Sequence, residues 1–159
     1  MKRSDELIQK LNLNPHPEGG YYASIFKGDT PESNALRPQY TSIYFLLKEN
    51  DRSHFHQLTA DELWYFHEGS ALTIHMIEPS GLYRTETLGL DIAKGERPQV
   101  LVKKGTIFGS TVNGDYGLVG CMVSPGFCFD DFTLFTEKEL LERYPQHVSI
   151  IKQLTIKDS

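Results

Sequence analysis

Along much of the chain, apolar and polar residues alternate one by one, the period of a strand that buries one face. The clearest run is Ala71–Glu78, where Leu72, Ile74 and Met76 fall on one face and Thr73 and His75 on the other. Tyr40–Leu47 is a second β-prone run, closed by the turn residues Lys48-Glu49-Asn50-Asp51. Further strands are predicted over Leu82–Leu90, Gln99–Lys103, Thr106–Val112 and Gly117–Val123. Pro79-Ser80-Gly81, the Ile92–Pro98 loop, Lys104-Gly105 and Asn113-Gly114 separate them, and Asn-Gly is the strongest hairpin signal in the chain. Gly28–Gln39 carries two prolines and no period, which predicts an exposed loop. Helical spacing is confined to the ends. Ser4-Asp5-Glu6 is expected to cap a short amphipathic helix holding Leu7, Ile8 and Leu11, stopped by Asn12–Pro15. Thr136-Glu137-Lys138-Glu139 reads as a capping box for a helix ending before Pro145, and Val148, Ile150, Ile151 and Leu154 suit one more helical turn. Some eight to ten short strands between terminal helices predict an antiparallel sandwich or barrel.

Composition narrows this further. A chain of 159 residues, 39% of them hydrophobic, suits one domain with one core. Nine Phe, eight Tyr and a single Trp favour pleated, half-buried surfaces. The formal charge of -5 argues against nucleic acid as a partner. No apolar run approaches the roughly 20 residues that span a bilayer, so a membrane partner is not expected. The N-terminus lacks the apolar centre of a signal peptide, and Cys121 and Cys128 match no metal or redox spacing. Both cysteines are read as reduced thiols in a cytoplasmic protein.

The chemistry concentrates in Ser53–Gly69. His54 and His56 lie two apart and, on a regular strand, share a face. Leu58-Thr59-Ala60-Asp61 reads as a hairpin turn that brings Glu62 back toward them. Two imidazoles and a carboxylate make either a metal site, His54/His56/Glu62, or a polar ligand pocket. A carboxylate buried among Trp64, Phe66 and Phe108 would have its pKa raised unless something pairs with it. Upstream, Pro15–Tyr22 joins a rigid proline segment to Gly19-Gly20, suited to a turn or to close backbone approach.

His54-x-His56, Glu62 and Gly69 resemble the first motif of the cupin superfamily, with a slightly longer gap between His56 and Glu62. The stretch corresponding to the second motif, Lys103–Phe108, carries Phe108 where that motif supplies a third imidazole. The segments LNPHPEGGYY, TSIYFLL, HFHQLTADELW, PQVLVKKGTIFGS and LVGCMVSPGFCFDDF together resemble small single-domain cupins of unassigned function. The resemblance covers about residues 11–145. It implies an all-β jelly-roll (double-stranded β-helix) barrel, placed over about 20–135, while length and helical spacing give one domain spanning 1–159 with helices near 4–12 and 136–145. It also implies a homodimer and a small-molecule pocket like that of nucleotide-sugar epimerases. Polar residues Glu18, Tyr22 and Gln99 are placed near the barrel mouth by the same resemblance.

The expected function is therefore a cupin-type small-molecule binder, reading as an epimerase or isomerase of a carbohydrate-like substrate. His56 is the expected base, oriented by Glu62, with Tyr22 returning the proton. Glu18, His54, Trp64, Phe66, Gln99 and Phe108 are the expected substrate contacts. Two alternatives stand beside it: an enzyme using a divalent transition metal on His54, His56 and Glu62, and a ligand-binding module without turnover.

Overall fold

The computed structural model describes residues 1–31 and 37–156. The predicted Gly28–Gln39 loop therefore lies partly outside the described residues. Among the described residues, eleven strands form two antiparallel sheets, with helices at either end. The first sheet runs β1 (Asn14–Pro15), β2 (Tyr21–Lys27), β3 (Thr41–Lys48), β10 (Tyr116–Ser124), β5 (Asp61–Gly69) and β8 (Gln99–Val102) in spatial order. The second runs β11 (Phe132–Leu134), β4 (Arg52–Leu58), β9 (Ile107–Val112), β6 (Leu72–Ile77) and β7 (Tyr83–Leu88). Their inner faces meet in one apolar core that includes Phe45, Leu47, Leu72, Ile74, Met76, Trp64 and Phe108. This is the jelly-roll barrel that the motifs implied.

The helices close the outer faces. α1 (Arg3–Lys10) places Leu7 against Leu46 and Leu118 on the back of the first sheet. Its N-cap is Lys2, with no side-chain cap; Ser4, expected there, is buried inside the helix. α2 (Glu137–Arg143) begins at Thr136, whose hydroxyl accepts the Glu139 backbone N–H as the capping box predicted. α2 and α3 (Val148–Gln153) bury Leu140, Ile151 and Leu154 against Phe55 and Ile77 behind the second sheet.

Two expected hairpins are corners instead. β4 and β5 are joined by Thr59-Ala60, yet β4 belongs to the second sheet and β5 to the first. Asn113-Gly114 likewise carries the chain from β9 in the second sheet to β10 in the first. Local turn chemistry fixes the reversal, but sheet pairing is decided by which strands bury each other's faces. The consequence for function is direct. Glu62 approaches His56 across the barrel, not along a hairpin.

Candidate functional site

The strand β4 is irregular where the chemistry begins. Ser53 pairs with Ser110 and His56 with Phe108, so Gly109 alone opposes His54 and Phe55. That is a β-bulge, and it breaks the alternation that would have put His54 and His56 on one face. A Cβ at Gly109 would lie 2.5 Å from the Ser53 carbonyl oxygen, so this close approach requires glycine. Phe55 turns outward to the helices, His56 turns into the barrel, and His54 lines a separate shallow surface depression with Arg52, Gln153 and Thr155. His54 therefore does not join His56 in the cavity.

The partner of His56 comes instead from the loop before β2. Gly19, at φ +112°, packs where any side chain would collide with the Arg52 carbonyl, and this presses the loop onto β4. Both the backbone N–H of His54, at 2.6 Å, and its ring Nδ1, at 2.7 Å, bond the Glu18 carbonyl oxygen. Glu18 is thereby buried, and its carboxylate Oε2 lies 2.7 Å from His56 Nε2. The other ring nitrogen, Nδ1, lies 2.7 Å from the His54 carbonyl oxygen. Both neighbours are acceptors, so the ring donates twice and carries both protons. Burial alone would lower the His56 pKa, but the Glu18 charge and hydrogen bond outweigh it and raise it. Burial likewise pushes the Glu18 pKa up, and the His56 charge overrides this and lowers it. The two form a buried ion pair.

Glu62 stands beside this pair and, among the described residues, has no ion-pair partner of its own. Burial, then the Glu18 charge, push its pKa up to about 8, against the weaker pull of His56. The Trp64 indole N–H is near enough to favour the Glu62 anion slightly, but its Nε1 makes no formal hydrogen bond. The rest of the wall is mostly apolar or aromatic, with Ser24, Thr41 and His16 as its polar members. Tyr22, Phe45, Ile43, Leu58, Val123 and Phe127 enclose a cavity of about 140 Å³ with the four groups just described.

Among the predicted residues, His56, Glu62, Tyr22, Glu18 and Trp64 thus line one cavity. Phe108 lies behind His56, with ring centroids 4.1 Å apart, and Phe66 packs on the barrel core outside the lining. Gln99 does not reach the cavity: it is exposed on the edge strand β8, opposite Tyr65. Orienting His56, expected of Glu62, falls to Glu18. His16 was missed as a site residue; it lines the cavity, its Nδ1 accepts the Glu18 backbone N–H at 3.1 Å, and burial lowers its pKa. The spacing His16-x-Glu18 beside two glycines was the available signal.

A divalent cation does not fit these donors. Both His56 nitrogens are committed to acceptors, His54 lies outside the cavity, and Phe108 offers no lone pair. Among the described residues no group of three His, Cys, Asp or Glu is arranged to hold a metal ion. No described helix is long and apolar enough to cross a membrane.

The profile of the family described as Cupin superfamily (DUF985) matches residues 5–135. The crystal structure of protein SO0799 from Shewanella oneidensis superposes with a TM-score of 0.95 at 53% identity, covering 99% of this chain and 100% of that one. A hypothetical protein from Leishmania major follows at TM-score 0.90 and 38% identity, covering 98% of this chain and 100% of that one. Oxalate decarboxylase from Bacillus subtilis shares the fold alone, at TM-score 0.60 and 14% identity over 91% of this chain and 37% of that one. No curated protein matches the chain.

Proposed function

The chain belongs to the cupin superfamily, in the DUF985 family, and from that premise we propose that it is an acid–base enzyme, an epimerase or isomerase of small carbohydrate-like carbonyl compounds. One observation carries this reading. The Glu18–His56 charges cancel each other, leaving Glu62 as a buried carboxyl group that titrates at about 8, close to neutral working pH.

The roles differ from those expected of the sequence. His56 already holds both ring protons and has no lone pair to accept a third. Ionised Glu62 is the base: it takes the proton from the carbon beside the substrate carbonyl, the C–H electron pair becomes the carbon–carbon double bond, and the carbonyl π pair moves onto oxygen to give the enolate. The His56 imidazolium lends positive charge to that anion, while Glu18 holds the ring in place. Return of a proton to carbon regenerates the carbonyl. Glu62 gives it back in simple exchange, and the Tyr22 hydroxyl supplies it when configuration inverts. A homodimer and a cytoplasmic location belong to the same reading; a monomeric mass by light scattering would count against the first.

The test is deuterium incorporation from D2O, followed by proton NMR, across a panel of uncharged keto-sugars and cyclic ketones. Exchange beside the carbonyl should rise with pH toward about 8 and fall at least about 100-fold in Glu62→Gln. Exchange at the wild-type rate in that variant would remove Glu62 from the chemistry.

A further inference from the structure

We infer that the cavity selects an uncharged, ring-sized carbonyl compound and anchors its oxygen on the indole N–H of Trp64. The inference rests on the acid–base reading for the location of the reaction and adds the ligand's charge, size and anchor.

Charge comes first. The ionisable side chains facing the cavity are Glu18, Glu62, His56, His16, Tyr22 and Cys121; among the described residues no Lys or Arg lines it. The one cationic ring, His56, is already engaged by Glu18 and by the His54 carbonyl. Arg37 is similarly committed, to the Gly126 and Pro125 carbonyls and to Asp131 at 3.3 Å. A carboxylate or phosphate entering the barrel would meet two carboxyl groups and no Lys or Arg among the described residues, with only neutral donors such as Ser24, Thr41, Tyr22 and Trp64 to replace its hydration. Anionic ligands are disfavoured for that reason.

Size comes next. A cavity of about 140 Å³ is close to the roughly 150 Å³ that accommodates benzene in an engineered protein core. One six-membered ring fills it, against Phe45, Ile43, Leu58, Val123 and Phe127.

The anchor is the remaining piece. Trp64 is 1% exposed and lines the cavity, and among the described residues its buried Nε1 makes no full hydrogen bond, with the neighbouring Glu62 carboxyl as its one weak electrostatic partner. Buried donors are rarely left so, and the cost is recovered when an incoming acceptor reaches them. A ligand carbonyl on Trp64 Nε1 also lies next to Glu62, two residues along the same strand face. That puts the carbon beside the carbonyl within the reach of the base.

The chain has a single tryptophan, so its indole signals report on this donor alone. The experiment titrates ¹⁵N-labelled full-length protein with cyclohexanone, with methylenecyclohexane as the same shape lacking an acceptor, and with cyclohexanecarboxylate as the anion. Cyclohexanone should saturate and move the indole N–H proton downfield. Methylenecyclohexane should bind without the downfield shift, and the carboxylate should bind at least about tenfold more weakly than the ketone. Trp64→Phe, which keeps a ring on the wall, should weaken the ketone about tenfold and leave the hydrocarbon unchanged. An unmoved indole signal at saturating ketone, equal affinity for the carboxylate, or no ketone binding overturns the inference. Proton exchange into the bound ketone, measured on the same wild-type sample, separates the two readings. Ketone binding with the indole shift, but no proton exchange even in the wild type, would defeat the acid–base function and leave the anchor standing.

Discussion

Glu62 and Glu68 sit on the same strand, β5, and their carboxyl groups are driven in opposite directions. Glu62 faces the barrel interior, where burial and the Glu18 charge lift it to about 8. Glu68 faces water, where hydrogen bonds from Arg3 and Tyr116 bring it down to about 2. Arg3 grips Glu68 with two nitrogens, at 2.8 and 2.9 Å, and Tyr116 donates at 2.7 Å. By geometry Glu68 is the better-bonded carboxylate, yet it is the less consequential one. Exposed pairs gain little, because water already solvates both partners and salt screens them. Inside the barrel the pull of His56 and Trp64 on Glu62 is weaker than the loss of water and the Glu18 charge, so at neutral pH the proton is favoured on it. Local environment, not residue type, makes one glutamate a structural clasp and the other a candidate base.

The largest break in this comparison is to remove the charge that balances the interior. His56→Ala leaves Glu18 buried without a partner and should cost about 3–5 kcal/mol in urea denaturation. Glu62→Gln acts next. The folded-state pKa of Glu62 is raised above its unfolded value of 4.5, so the stability it contributes is complete below about 4.5 and is lost as pH rises through about 8. The variant should therefore lack a loss on the order of 4 kcal/mol that the wild type shows between about pH 5 and about pH 9. Thermal melts of both proteins across that range read the difference. Gly109→Ala attacks the bulge that sends His54 outward and His56 inward, and should destabilise by about 1–3 kcal/mol through overpacking on Ser53. Glu68→Gln is the smallest. Its lowered pKa gives a contribution present above 4.5 and lost as pH falls through about 2, opposite in sign to that of Glu62. With the pair this exposed, its melting temperature at neutral pH should match the wild type within error, and added salt should erase what difference remains.

Much of the fold was legible in the alternation. Leu72, Ile74 and Met76 are fully buried on one face as the pattern required, and the Thr136 cap lies where its box placed it. What the pattern lacked was long-range information. Asn113-Gly114 and Leu58–Asp61 have turn chemistry, but nothing in four residues states that the flanking strands enter different sheets. His54 and His56 failed for a similar reason. Their spacing assumes a regular strand, and the bulge is set by Gly109, which lies on β9, more than fifty residues along the chain. Glu62 and His56 were found because motif and alternation agreed on them. Glu18 was placed at the site by resemblance alone, and its role needed the contact between the Gly19 loop and β4. His16 carried only a two-residue spacing to Glu18, too weak to set it apart from a loop histidine.

The most direct test of the account is the titration of the Glu62 carboxyl carbon by ¹³C NMR in glutamate-labelled protein, assigned by its disappearance in Glu62→Gln. The account predicts a midpoint near 8, far from the ordinary carboxylate value of 4.5. A midpoint near 4.5 would mean that Glu62 is ionised at neutrality like any exposed glutamate, and would contradict both its buried protonation and its role as the base.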